Sequence, residues 1–209
     1  MLGAMMFLIA GRLDWGGAWI FLLLFLAFLL GVAVWGTIRM PELMEERSKA
    51  GGNVKTWDKV IMSLYSILFF GTFIIAALDA GRLRWSQVPP VIQLVGIVGL
   101  FFAGALAWWV MMSNAYASRY VRIQDDRGQQ VVTTGPYRYV RHPLYAGVPL
   151  LFWCLPLVLE SYWALVPGFL ITILFVIRTA LEDNTLQAEL PGYAEYAQRV
   201  RYRLIPGIW

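Results

Sequence analysis

The sequence predicts an all-α integral membrane protein with about five transmembrane helices and a cytosolic C-terminal helical segment. Three observations carry that prediction. Hydrophobic residues make up 59% of the 209 and charged residues 14%, where a soluble domain carries about a quarter charged. Mean hydropathy is +0.62. Five stretches contain no charged side chain: Ala18–Ile38, Val60–Leu78, Val91–Ser113, Leu144–Leu159 and Tyr162–Ile177.

A helix rises about 1.5 Å per residue, so each of the first three stretches can cross a hydrocarbon core about 30 Å thick. The last two are short, at 16 residues each, and only Glu160, Ser161 and their neighbours separate them. They read as a tight helical hairpin. The whole chain, residues 1–209, reads as one membrane domain, with three N-terminal spans within 18–113 and a second half, 129–209, holding the two short spans. The opening "MLGAMMFLIAGRLDWGG" lacks a basic leader and a small-residue cleavage pattern, so it reads as an interfacial or re-entrant helix. Cys154 is the only cysteine and sits in an apolar run, so it reads as a small buried hydrophobe.

Basic residues predict the orientation. With five spans, Arg12, Arg82 and Arg84 share one face, and the other 14 of the 17 Lys and Arg fall in Arg39–Lys59, Arg119–Arg141 and Arg178 onward. Cytoplasmic loops carry the Lys/Arg excess, which puts the N-terminus outside and the C-terminus inside. The net charge of +4 is spread over three loops and marks topology and contact with membrane lipids. No nucleic-acid partner is expected. No ionisable group falls within the apolar runs, which argues against a channel or transporter.

Two polar stretches stand out, both expected on the cytoplasmic face. The first is "TTGPYRYVRHPLYAG", Thr133–Gly147, which holds the only histidine. Val131–Thr134 reads as extended and Gly135–Pro136 as a turn. His142 precedes a proline and is pushed from the α region, while Pro143 suits the first position of a helix. Leu144, Tyr145 and Gly147 follow on that helix, gathering His142, Tyr137 and Tyr145 round one polar hollow. Interfacial anchoring of arginines and tyrosines is the plain alternative.

The second stretch runs from Arg178 to Trp209. Arg178 and Glu182 are i, i+4 neighbours, close enough to pair, and ionisable groups at a bilayer boundary are functional candidates. "LPG" at Leu190–Gly192 breaks the helix. A further helix over Tyr193–Val200 reads as solvated and amphipathic, lying on the membrane.

Taken together, the two stretches resemble the isoprenylcysteine carboxyl methyltransferase family and its phospholipid methyltransferase relatives. The resemblance rests on T-x-G-x-Y…R-H-P-x-Y-x-G, on Arg178-x-x-x-Glu182-Asp183-x-x-Leu186 and on Tyr193-x-x-Tyr196-x-x-x-Val200. It covers roughly Gln129 to the C-terminus. It implies an S-adenosyl-L-methionine-dependent enzyme whose pocket is capped by the C-terminal segment. Carried over by position, Gln129, Gln130, Val131, Val132, Tyr137, His142, Pro143, Leu144, Tyr145 and Glu182 are the implied cofactor residues. Arg178 is the implied substrate residue and, with Glu182, the implied catalytic pair; no metal is implied. Asp183 departs from the pattern, since many relatives carry glutamate there. The implied acceptor is lipophilic: a prenylated cysteine carboxylate, a phospholipid amine or a small thiol. Two other classes remain: an NADPH-binding reductase relative, and a non-catalytic membrane assembly factor.

Overall fold

The computed structural model describes residues 1–48 and 54–209; Lys49, counted above among the basic loop residues, lies outside the described residues. Among the described residues there is helix and no strand. A short helix, α1 (Leu2–Ala10), is followed by α2 (Gly16–Arg39), α3 (Pro41–Ser48) and α4 (Thr56–Ala76). A π-helical segment, Ala77–Leu83, continues α4. Then come α5 (Pro90–Ser113), α6 (Pro143–Val158), α7 (Leu165–Glu189) and α8 (Tyr193–Arg199).

Four of these are long and apolar enough to cross a membrane: α2, α4 with its continuation to Leu83, α5 and α7. Apolar helices of this length bear out the expected all-α membrane protein. The expected pair of short spans needs correction. Only α6 is short, at 16 residues, or about 24 Å. The second apolar run does not end its helix at Ile177, because α7 continues for 25 residues through Arg178, Glu182 and Asp183 to Glu189. Nor are the spans free of ionisable groups. The helix containing the second apolar run begins at Thr56 and continues to Leu83, enclosing Asp58 and Asp79. Both carboxylates are fully buried, and partners described below satisfy them.

The chain divides into two compact units. Unit 1 comprises Met1–Leu30, Ser63–Gly104 and Val148–Ile173. Its core is aromatic: the Phe69 ring lies 5.1 Å from Phe73 and 6.2 Å from Phe152, both edge-on. Helices approach closely where a side chain is missing, as is common among membrane helices. A Cβ on Gly99 would overlap the Cys154 sulfur, and one on Gly168 would overlap the Phe152 carbonyl. The second of these fixes the α6–α7 hairpin. Asp79 closes the unit by accepting from the Ser86 hydroxyl and the Ser161 hydroxyl, each at 2.6 Å, and from the Ser86 N–H at 2.9 Å.

Unit 2 comprises Gly31–Met62, Ala105–Gly147 and Leu174–Trp209. It contains both polar stretches. Pro143 opens α6 as expected. Gly135–Arg138 forms a 3-10 turn entered from Thr134, whose ψ of 170° is extended. The segment after α8 runs beside the start of α6: the Arg141 N–H donates to the Tyr202 carbonyl and the His142 N–H to the Arg203 carbonyl, both at 2.9 Å.

Candidate active site

Asp183 is the polar centre of unit 2. It is fully buried on α7. Arg141 grips it bidentately, Nε to Oδ1 at 2.7 Å and Nη2 to Oδ2 at 2.9 Å. The Arg203 Nε and the Gln187 amide each donate to Oδ2 at 2.9 Å, and the Tyr193 hydroxyl donates to Oδ1 at 3.1 Å. His142 Nε2 faces Oδ1 at 3.2 Å. Two cations, one carboxylate and a phenol thus tie together the start of α6, the middle of α7, α8 and the terminal segment. Burial works against the Arg141 charge, but its bonds to Asp183 outweigh that and raise its pKa above the ordinary value. Burial also pushes the Tyr193 and Tyr196 phenols above theirs, so both stay neutral donors.

Glu182, one residue earlier, points elsewhere. Its Oε2 accepts from the Tyr145 hydroxyl at 2.5 Å. His142 Nδ1 stands 3.9 Å from Oε1, and the His142 ring lies parallel to Tyr145 with centroids 5.9 Å apart. Behind Tyr145 sits Arg178, its guanidinium 5.1 Å from the ring centroid. The expected Arg178–Glu182 pair is replaced by another. Arg178 Nε donates to Asp58 Oδ1 at 2.8 Å, and Nη2 donates to Asp58 Oδ2 at 3.2 Å and to the Arg119 carbonyl at 2.9 Å. Asp58 also accepts the Val121 N–H at 2.8 Å. Asp58 reaches Arg178 from α4, where the apolar pattern gave no hint of a partner.

These groups border a pocket of about 800 Å³ of empty space, partly open to solvent. Its wall includes Gln129, Gln130, Val131 and Val132 from the loop, and Tyr137, His142, Leu144, Tyr145 and Glu182. Nine of the ten expected cofactor residues therefore meet at one cavity. Pro143 does not reach it and is buried at the helix start; Arg178 stands behind the wall rather than on it. Sequence reasoning missed Asn114, Tyr116, Gln124 and Arg141. Asn114 donates to the Tyr137 hydroxyl at 2.7 Å, and its signal was a lone amide just after an apolar run. The Tyr137 phenol is pushed up to about 12, chiefly by burial. The reading of Tyr193–Val200 as a solvated surface helix is corrected. Tyr193 and Tyr196 are buried and line the pocket, and the Tyr196 hydroxyl donates to the Tyr137 carbonyl at 2.7 Å.

The charges on the wall decide what the pocket suits. Arg122 is held by Glu46 and Asp126, each at 2.8 Å, and Arg141 by Asp183. Both guanidiniums are already neutralised. Glu182, by contrast, has the Tyr145 phenol as its hydrogen-bond partner, with His142 Nδ1 3.9 Å away. The wall thus combines aromatic faces, amides and a carboxylate held by a phenol. Among the described residues, neither guanidinium on this wall is free to meet a polyphosphate.

Fold and site together define a helical membrane protein with a polar, aromatic-walled pocket beside the ends of its long helices. Residues 91–190 match the family model of the phospholipid methyltransferases. The resemblance read from the two polar stretches is thereby borne out. The chain is also similar to the cobalt-zinc-cadmium resistance protein CzcN of Cupriavidus metallidurans, with 32% identity over 133 residues. That match covers 61% of this chain and 56% of CzcN, so the chain spans little more than half the length of that relative.

Proposed function

We propose that the protein transfers a methyl group from S-adenosyl-L-methionine to a lipophilic acceptor at the cytoplasmic membrane face. The observation that supports this most is the Glu182 carboxylate on the pocket wall, oriented by the Tyr145 hydroxyl. When bound, the sulfonium cofactor supplies a methyl group already activated for in-line displacement. The protein's task is then mainly to position the reactants and exclude water. Glu182 offsets the positive charge of the ligand. Tyr145 and His142 hold that carboxylate and present flat faces. Tyr137, Tyr193 and Tyr196 close the wall, and the 129–132 segment offers backbone groups along it. Pro143 starts the helix that carries Tyr145.

Arg178 acts from behind. Asp58 and the Arg119 carbonyl occupy its Nε and Nη2, while Nη1 carries no hydrogen bond among the described residues. From behind Tyr145, the guanidinium favours a carboxylate or phosphate on the acceptor through its charge rather than by direct contact. An acceptor carboxylate needs no base, because it is already ionised at neutral pH. The reading therefore favours O-methylation of a carboxylate like that of a prenylated cysteine over methylation of an amine or thiol.

The test uses detergent-purified full-length protein. Titration with S-adenosylmethionine and with NADPH should give saturable binding of the first alone. Methyl-labelled cofactor incubated with membranes should then pass label to a lipophilic fraction, whose chemistry identifies the acceptor. Glu182→Ala should weaken cofactor binding by on the order of tenfold or more, the loss expected when a charge-assisted contact is removed. Binding of NADPH instead, or unchanged affinity and turnover in Glu182→Ala, overturns the proposal.

A further inference from the structure

Unit 1 holds a second, shallower cavity, about 580 Å³ of empty space that runs into open solvent, bordered by Arg12, Arg84, Ser86, Gln87 and Glu160. Its frame is stiff. The Asp79 carboxylate pins Ser86 on its border and Ser161 next to Glu160, and Ala80 of the π-helical segment Ala77–Leu83 lines it. Arg84 and Glu160 are the non-glycine residues with positive φ among those described, at 54° and 61°. Backbone held in that region collects at ligand sites, and so do π-helical turns.

The charges on this frame are incompletely used. The Arg84 backbone N–H donates to the Asp79 carbonyl, and among the described residues its exposed guanidinium has no hydrogen-bonded or ion-paired partner. Arg12 faces the exposed Asp14 at 3.5 Å, and its buried Nε has no hydrogen-bond partner. Glu160 Oε1 accepts from the Gln93 amide at 3.1 Å, and among the described residues nothing donates to its second oxygen. Two guanidiniums and a carboxylate therefore face one opening. Generic anchoring of arginines at a membrane surface would need neither the carboxylate nor the strained backbone that presents it.

We infer that this cavity binds the zwitterionic headgroup of a phospholipid, with the phosphate on Arg12 and Arg84 and the ammonium on Glu160. The lipid is a bound companion and not the methyl acceptor, since the cavity shares no residue with the pocket around Glu182. A phosphate matches paired guanidiniums geometrically, and an adjacent ammonium accounts for Glu160. An anionic lipid lacking the ammonium would leave that carboxylate facing a like charge.

Native mass spectrometry of the detergent-purified full chain tests this with short-chain phosphatidylethanolamine, short-chain phosphatidylglycerol and inorganic phosphate. Phosphatidylethanolamine should bind about tenfold more tightly than phosphatidylglycerol, the size of one charge-assisted contact. The double variant R12Q/R84Q should lose that binding, and E160Q should lose only the preference between the two lipids. Circular dichroism and the thermal midpoint of each variant report folding independently. Equal lipid binding by wild type and folded R12Q/R84Q would sink the inference. So would the absence of a headgroup preference, or displacement of the lipid by inorganic phosphate at comparable concentration.

Discussion

Asp183 governs the polar order of unit 2 because one buried carboxylate there satisfies donors from four parts of the chain. Removing its charge leaves the Arg141 and Arg203 guanidiniums facing one another without a counter-ion. Breaking a buried pair by losing one partner costs about 3–5 kcal/mol. Asp183→Asn should accordingly lower the thermal midpoint by on the order of 10 °C for a chain of this size. A scanning fluorimetry trace unchanged from wild type would remove Asp183 from that role. The sequence marked Asp183 only as a departure from a pattern. Its partners lie 41 or 42 residues upstream and 4 to 20 downstream, and no periodicity links them. His142, Tyr145 and Glu182 were legible because helix-start chemistry and motif spacing place them. Asp58 was not, since a carboxylate at the start of a span looks like a boundary residue until Arg178 arrives from another helix.

The helices show the same division between local and non-local information. The α6 start was readable from His-Pro, and the α6–α7 hairpin from two apolar runs separated by Glu160 and Ser161. The length of α7 was not. Apolar patterning ends at Ile177, but the helix continues because its polar side chains find partners: Arg178 in Asp58, Asp183 in Arg141, and Glu189 in Lys55 at 2.7 Å. Helix α8 was misjudged for a related reason. Spacing placed Tyr193 and Tyr196 on one face but could not say that the face meets Tyr137 and Asp183 rather than lipid. The hairpin itself yields a sharp prediction. A side chain at Gly168 meets the Phe152 carbonyl, which is backbone and cannot swing aside. Gly168→Val should destabilise by at least about 1–3 kcal/mol, the usual cost of overpacking. Gly16→Ala, on α2, has open space around it and should be close to neutral. Equal thermal midpoints for the two variants would show that α6 and α7 do not pack as described.

Taken as a molecule, the protein sorts its charges by unit. Arg12, Arg82 and Arg84 fall in the segments of unit 1, and every other lysine and arginine of the 17 falls in those of unit 2. This follows no rule of soluble folding. It is the pattern that retention of basic segments in the cytoplasm would produce. The candidate site and its supports, including Asp58 outside the family-matched segment 91–190, all belong to the basic unit. A soluble nucleoside cofactor would then reach its pocket directly from the cytoplasm. The test exploits the single cysteine, Cys154, which is buried and can be replaced by alanine. Into that background Gln87→Cys and Gln198→Cys are introduced separately, both at exposed positions. A membrane-impermeant maleimide applied to intact cells should label Gln87→Cys and spare Gln198→Cys until the membrane is opened. The reverse pattern would turn the basic unit outward, away from the cytoplasmic pool of S-adenosylmethionine, and the proposed reaction would lose its methyl donor.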